Sequence, residues 1–203
     1  QQLGQIEILN STIEGNSHVG GFCGYAFLNG SSANPYILVQ DSMIIGNGSK
    51  IGGVTGESYN LRNCTARNIK VIGYGNNIGG ISGASKQQAA YIYDSTVEGK
   101  GTSSNNVGGV FGTQQYAGQN ERAINVYVKS TGSNIGGVVG NAVQAASSIW
   151  AISCTVEGYS NVGGTYGQIN AGINSRTYNN SIVIANGHTA GGIVGYLDNE
   201  NMT

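Results

Sequence analysis

The chain has 203 residues, a formal net charge of −1, 35 glycines, one proline and only 9% charged side chains. Glycine stands well above its usual share of about 7%, and charge far below the usual quarter. With 39% hydrophobic residues and almost no net charge the composition excludes a disordered chain, and a single proline excludes collagen. Nine Lys and Arg against ten Asp and Glu supply no basic surface, so no nucleic-acid partner is expected. No apolar run is long enough for a membrane span. Water must instead be met by polar uncharged side chains, 24 of them Asn. The sequence opens Gln1-Gln2-Leu3, without an initiator Met or an apolar leader, and is expected to be a processed product or a segment of a longer protein.

In chain order, the first predicted element is a β-branched run that closes on one glycine, Ile8-Leu9-Asn10-Ser11-Thr12-Ile13-Glu14-Gly15. The second is a hexamer of the form apolar-Gly-Gly-apolar-x-Gly, Val19-Gly20-Gly21-Phe22-Cys23-Gly24. The pair then recurs to the end of the chain. Runs closing on Gly46, Gly73, Gly99, Gly132, Gly158 and Gly187 are each followed by a hexamer. Their glycine pairs are Gly52 and Gly53, Gly79 and Gly80, Gly108 and Gly109, Gly136 and Gly137, Gly163 and Gly164, and Gly191 and Gly192. The first glycines of successive pairs lie 32, 27, 29, 28, 27 and 28 residues apart.

Self-similarity at this period is the mark of a stacked repeat. The apolar runs are short, rich in Val, Ile, Thr and Tyr, and bounded by Gly and Asn, which predicts strands. The predicted fold is therefore all-β: one domain over residues 1–203, a parallel β-solenoid of seven coils of about 28 residues. The coils end near Gly24, Gly56, Gly83, Gly112, Gly140, Gly167 and Gly195. Spaced about 4.8 Å apart, seven coils make a rod of about 34 Å.

Stacking places like beside like, and three columns are expected on the inner wall. One runs Val19, Ile51, Ile78, Val107, Ile135, Val162, Ala190, and a second Phe22, Val54, Ile81, Val110, Val138, Thr165, Ile193. The third, counted back from the closing glycines, runs Ile13, Ile44, Val71, Val97, Ser130, Val156, Ala185. The paired glycines are expected to turn a corner where a Cβ would clash, or to take φ > 0. The Asn clusters before them (Asn76-Asn77, Asn105-Asn106, Asn134, Asn161) suit turns, since Asn tolerates the left-handed region.

These hexamers on a period of about 28 residues resemble the GLUG-type repeats of secreted and cell-surface proteins. The resemblance covers all seven repeats. It implies a right-handed β-solenoid stalk or adhesive fibre at the cell surface, and it carries no catalytic residue.

Six Asn-x-Ser/Thr sequons begin at Asn10, Asn29, Asn47, Asn63, Asn179 and Asn201, candidates for N-glycosylation in a secretory pathway. Asn29 and Asn47, in Gly/Ser turns, are the best placed. Asp41 and Asp94 share a column with Asn68 between them, about 9.6 Å apart across two coils. That is near the upper limit for an inverting glycosidase pair, but an Asn/Asp hydrogen-bonding ladder starting at Asn10 is the plainer account. Glu14, Glu98 and Glu157 share a second column in separated coils, as an exposed face that avoids stacked like charges would. His18 and His188 precede the first and last glycine pairs and are expected as exposed turn residues; as the alternative, head-to-tail stacking would bring them near each other and weaken assembly at low pH. Cys23, Cys64 and Cys154 have no metal-binding spacing and are expected as core thiols, with one bridge plus a free thiol as the alternative. No cofactor, metal or catalytic residue is expected. The leading expectation is a structural subunit or segment of an extracellular fibre or surface appendage, assembling through its terminal coils. An adhesin stalk that binds carbohydrate or protein comes second, and a β-helix polysaccharide lyase or glycosidase third.

Overall fold

The computed structural model describes residues 4–27, 35–86, 89–116, 118–171 and 176–198. Every element among them is a strand, and every strand pairing is parallel. The chain is a three-sided β-solenoid. One side is a ten-stranded sheet and the other two are sheets of seven strands each, one strand per rung.

Rung 4 shows the plan. A long strand, Ala90–Gly99, forms the first side, a two-residue strand, Val107–Gly108, the second, and Phe111–Gln114 the third. The long strand alternates buried and outward residues on each side of a one-residue break in phase at Asp94, as a strand with one face to a core must. In rungs 1 to 3 it is broken in two, at Leu9/Thr12, Gln40/Met43 and Arg67/Lys70. At that point each of rungs 1 to 6 carries one residue with positive φ: Asn10, Asp41, Asn68, Asp94, Asn125 and Ser153. The serine that follows folds back on the carbonyl two residues before: Ser11 on Leu9 at 2.8 Å, Ser42 on Gln40 at 2.7 Å, Ser95 on Tyr93 at 2.5 Å. Cys154 does the same with Ile152 at 3.5 Å. Rung 7 lacks the kink residue, and its register against rung 6 skips Ser153.

The hexamer straddles the corner between the second and third sides. Its two expected inner columns are buried from rung 2 to rung 6, including Ile51, Ile78, Val107, Val54, Ile81 and Val110 at 0% exposure. The third column is corrected in two places. Val97 pairs with Val128, then Val156, then Val183. Ser130 and Ala185 instead take the slot that Gly99 and Gly158 hold in their rungs. A small residue suffices there, so the closing glycine could move on to 132 and 187.

The paired glycines are needed for close approach. No described glycine has φ between +20° and +160°, so the φ > 0 expectation is not met. A Cβ on the second glycine of a pair (Gly21, Gly53, Gly80, Gly109, Gly137 or Gly164) would come closer than 3.0 Å to the carbonyl oxygen of the same glycine one rung on. The left-handed residues are those just before the hexamer: His18, Lys50, Asn77, Asn106, Asn134 and Asn161. Their amides form a ladder, Asn106 to Asn77 at 2.9 Å, Asn134 to Asn106 at 2.9 Å and Asn161 to Asn134 at 2.7 Å. The cysteines are free; Cys64 and Cys154 are buried and Cys23 is half-buried.

Candidate ligand-binding face

The kink residues turn the first side into a shallow angle, and a groove runs along it. Its larger part, about 560 Å³, is lined by Asn10, Asp41, Asn68 and Asp94 with Ser, Thr, Met43 and Lys70 beside them. A smaller part of about 250 Å³ continues past Asp94 to Asn125 and Ser153. The column is a hydrogen-bonded ladder: Asn68 Nδ2 donates to Asp41 Oδ1 at 2.6 Å and Asn125 Nδ2 to Asp94 Oδ1 at 2.7 Å. Hydrogen bonds from Gln40 and Asn68 hold the Asp41 carboxyl below the usual range. A group so held stays ionised and accepts hydrogen bonds, whereas an inverting pair needs one carboxyl raised to act as the acid.

On one flank of the groove lies the charged column. Glu14 and Glu98 are separated by Ile45 and Ile72, and Glu98 and Glu157 by Lys129, so like charges never stack. Lys70 and Lys100 lie 3.5 and 3.2 Å from Glu98, and Lys129 lies 3.0 Å from Glu157. The Tyr127 hydroxyl also donates to Glu157 at 2.7 Å. These bonds from Tyr127 and Lys129 keep the Glu157 carboxyl low and, reciprocally, raise Tyr127 and Lys129.

On the other flank is a row that the sequence reading did not single out. Tyr91, Arg122, Trp150 and Tyr178 stand in register on rungs 4 to 7. The Arg122 guanidinium lies 4.6 Å from the centre of the Trp150 ring and 5.5 Å from that of Tyr91. Trp150 and Tyr178 follow at 5.9 Å, and Arg67 lies 5.3 Å over Tyr93 in the next column. The signal exists in the sequence, but only once register is known.

Inside the rod, Glu121 occupies an inner position between Ala90 and Ile149 and is fully buried. Gln114 Nε2 donates to its Oε1, while its Oε2 and Gln114 Oε1 are buried without partners. Burial pushes its carboxyl up to about 8, against which the Gln114 bond works only in part.

The remaining candidates fall in separate places. Asn10, Asn47 and Asn63 are exposed at bends or turns. Asn179 is half-buried, and its Nδ2 donates to the Gly192 carbonyl on the inner side. Asn29 and Asn201 lie outside the described residues. The histidines are one residue out of register: His18 aligns with Thr189, not His188. His18 Nε2 is 3.3 Å from Glu57, so a protonated His18 gains a carboxylate partner, and His188 stands edge-on to Tyr159 at 5.9 Å. Comparison with protein-family models, curated proteins and solved structures found no match to this chain.

Proposed function

We propose that the chain is a structural segment of an extracellular fibre or surface appendage, in which one solenoid is laid on the next. The observation that carries this reading is the parallel, in-register pairing of each rung with the next on all three sides, a geometry that a further solenoid can continue. Among the described residues rung 1 pairs only with rung 2 and rung 7 only with rung 6, so within this stretch four strand edges stand open on rung 1 and three on rung 7. Unpaired edges are templates for another strand, and a head-to-tail contact propagates unless a rotation closes it. The core columns surface there as well: Ile193 is 42% and Leu197 43% exposed. The extracellular setting rests on the likeness of the hexamers to GLUG-type repeats and on the sequons.

Sedimentation velocity and negative-stain microscopy over a range of concentrations test it. Fibres of rod-shaped subunits are expected, with Ile193→Asp holding the rod monomeric because an end contact would bury its charge. A wild-type protein that stays a single rod at every concentration refutes it. A second reading, an adhesin stalk that binds carbohydrate along its side, is favoured by the polar groove and the ring-and-arginine row beside it.

A further inference from the structure

We propose that the outer face of the first side binds a linear acidic polysaccharide with widely spaced anionic groups, held by a diagonal stripe of Arg67, Arg122 and Arg176. The inference stands apart from fibre assembly and gives the adhesin reading its ligand. It begins with a division of labour among the cations. Lys50, Lys70, Lys100 and Lys129 each have a glutamate within 4.0 Å, and Lys86 lies 5.2 Å over the Tyr59 ring. No arginine among the described residues has a carboxylate at that distance. Arg122 is in addition clamped between two rings, with its Nε covered and without a partner. An uncompensated guanidinium held in one orientation suits a two-pronged contact with a carboxylate or sulfate.

Position completes the argument. Arg67 is in register with Tyr93, Arg122 with Tyr91 and Trp150, and Arg176 with Ser148. Each arginine is therefore two rungs along the rod and two residues across the side from the last, about 12 Å from it at the backbone. Tyrosine fills the rung between the first two and Trp150 the rung between the second and third. A stripe that alternates cation and ring matches a chain with an anion on every second sugar. It does not match a nucleic-acid duplex, along whose axis each strand presents a phosphate about every 3.4 Å. The rings are also packed against guanidiniums and each other, which leaves no free pair of faces for a base to enter.

Titration calorimetry on the full chain tests this with hyaluronan oligosaccharides (one carboxylate per disaccharide), dextran of equal length and an oligothymidylate. Hyaluronan is expected to bind, more weakly as salt is raised, and the other two to bind at least tenfold less. Arg122→Ala should cost about tenfold or more in affinity, and Arg122→Lys should not restore it. Arg176→Ala, at an exposed position with no ring contact, should weaken binding without touching the fold, which guards against a misfolded Arg122 variant. The proposal is overturned if wild-type protein fails to bind hyaluronan, or binds dextran or oligothymidylate as tightly, or if folded Arg122 and Arg176 variants bind as wild type. Dextran binding alone would leave the adhesin reading standing and remove this one, and sedimentation of the same samples reports fibre assembly independently.

Discussion

The paired glycines allow one substitution to be placed in two environments that differ only by a neighbouring rung. An alanine Cβ at Gly109 would come closer than 3.0 Å to the Gly137 carbonyl oxygen and meet Ala123 Cβ at 3.4 Å. Relief requires rungs 4 and 5 to part locally, where Gly109 N donates to Gly136 O at 3.2 Å and Val110 N to Val138 O at 2.8 Å. Overpacking costs about 1–3 kcal/mol, and one or two weakened hydrogen bonds about 1 kcal/mol each. Gly109→Ala should therefore destabilise the fold by about 2–5 kcal/mol. Gly192 holds the same hexamer position in rung 7, where a Cβ meets nothing within 4 Å. Gly192→Ala should leave the isolated rod within about 0.5 kcal/mol of wild type. It should nonetheless block end-to-end growth, because the new methyl stands where the carbonyl of an added rung must pass. Urea unfolding followed by circular dichroism measures the first pair of effects, and sedimentation the last. Equal unfolding of the two variants would refute the reading of the glycines as spacers between rungs. Unimpaired fibres of Gly192→Ala would refute addition of coils in register.

Three further outcomes follow from single sites. Glu121 is protonated in the fold up to about pH 8, whereas in the unfolded chain it ionises in the ordinary carboxyl range. The unfolded state therefore binds fewer protons between those limits, and stability should fall as pH rises from about 4.5 to about 8 and then level off. Glu121→Gln should remove that fall and stabilise the protein at neutral pH; a stability curve unchanged by the substitution would show the carboxyl is not buried. Asn106 has φ 57° and joins the amide ladder on both sides, so Asn106→Ala should cost about 2–3 kcal/mol and Asn106→Gly about 1. Equal losses in unfolding experiments would mean the left-handed backbone contributes nothing. Burial pushes the Cys64 thiol up to about 12 and raises Cys154 and the half-buried Cys23 as well. Alkylation of native protein should thus label Cys23 first and reach the other two only on unfolding, as read by peptide mass spectrometry.

The repeat was legible because each hexamer position answers to a contact with the neighbouring rung, and a contact of that kind admits few residue types. The same reasoning failed where the contact is looser. The slot of Gly99 and Gly158 tolerates Ser130 and Ala185, so counting back from Gly132 and Gly187 displaced the third column by two residues. The Asn/Asp ladder was visible as a column, but the strand break it causes was not, since left-handed Asp and Ser leave no distinctive letter. Glu121 could not be placed by residue type: a glutamate reads as outward-facing, and only the phase of its strand, with Ala123 buried two residues on, turns it inward. Arg67, Arg122 and Arg176 lie 55 and 54 residues apart, two periods less about two residues. Such an offset looks irregular along the chain and becomes a straight stripe only on a stack of known register.

Rungs 1 and 7 of the described stretch do not present equivalent faces, and the difference bears on how strong a joint between two such stretches is. Laid in register, Ala190, Ile193, Val194 and Leu197 of one copy meet Val19, Phe22, Cys23 and Ala26 of the next, apolar on apolar across the second and third sides. On the first side Thr177, Asn179 and Ser181 take the inner positions that Ile149, Ala151 and Cys154 hold one rung earlier. Thr177 Oγ1 and Asn179 Oδ1 already lack partners, and a joint would set them against Ile6 and Ile8. Each polar group closed off in this way costs about 1–3 kcal/mol, comparable with what covering an exposed Ile193 or Leu197 returns. The joint is therefore driven from two sides of the triangle and opposed on the third, while every interior rung is held on all three. A fibre built this way is weakest between subunits, so dilution should part it into whole rods before any rung within a rod gives way.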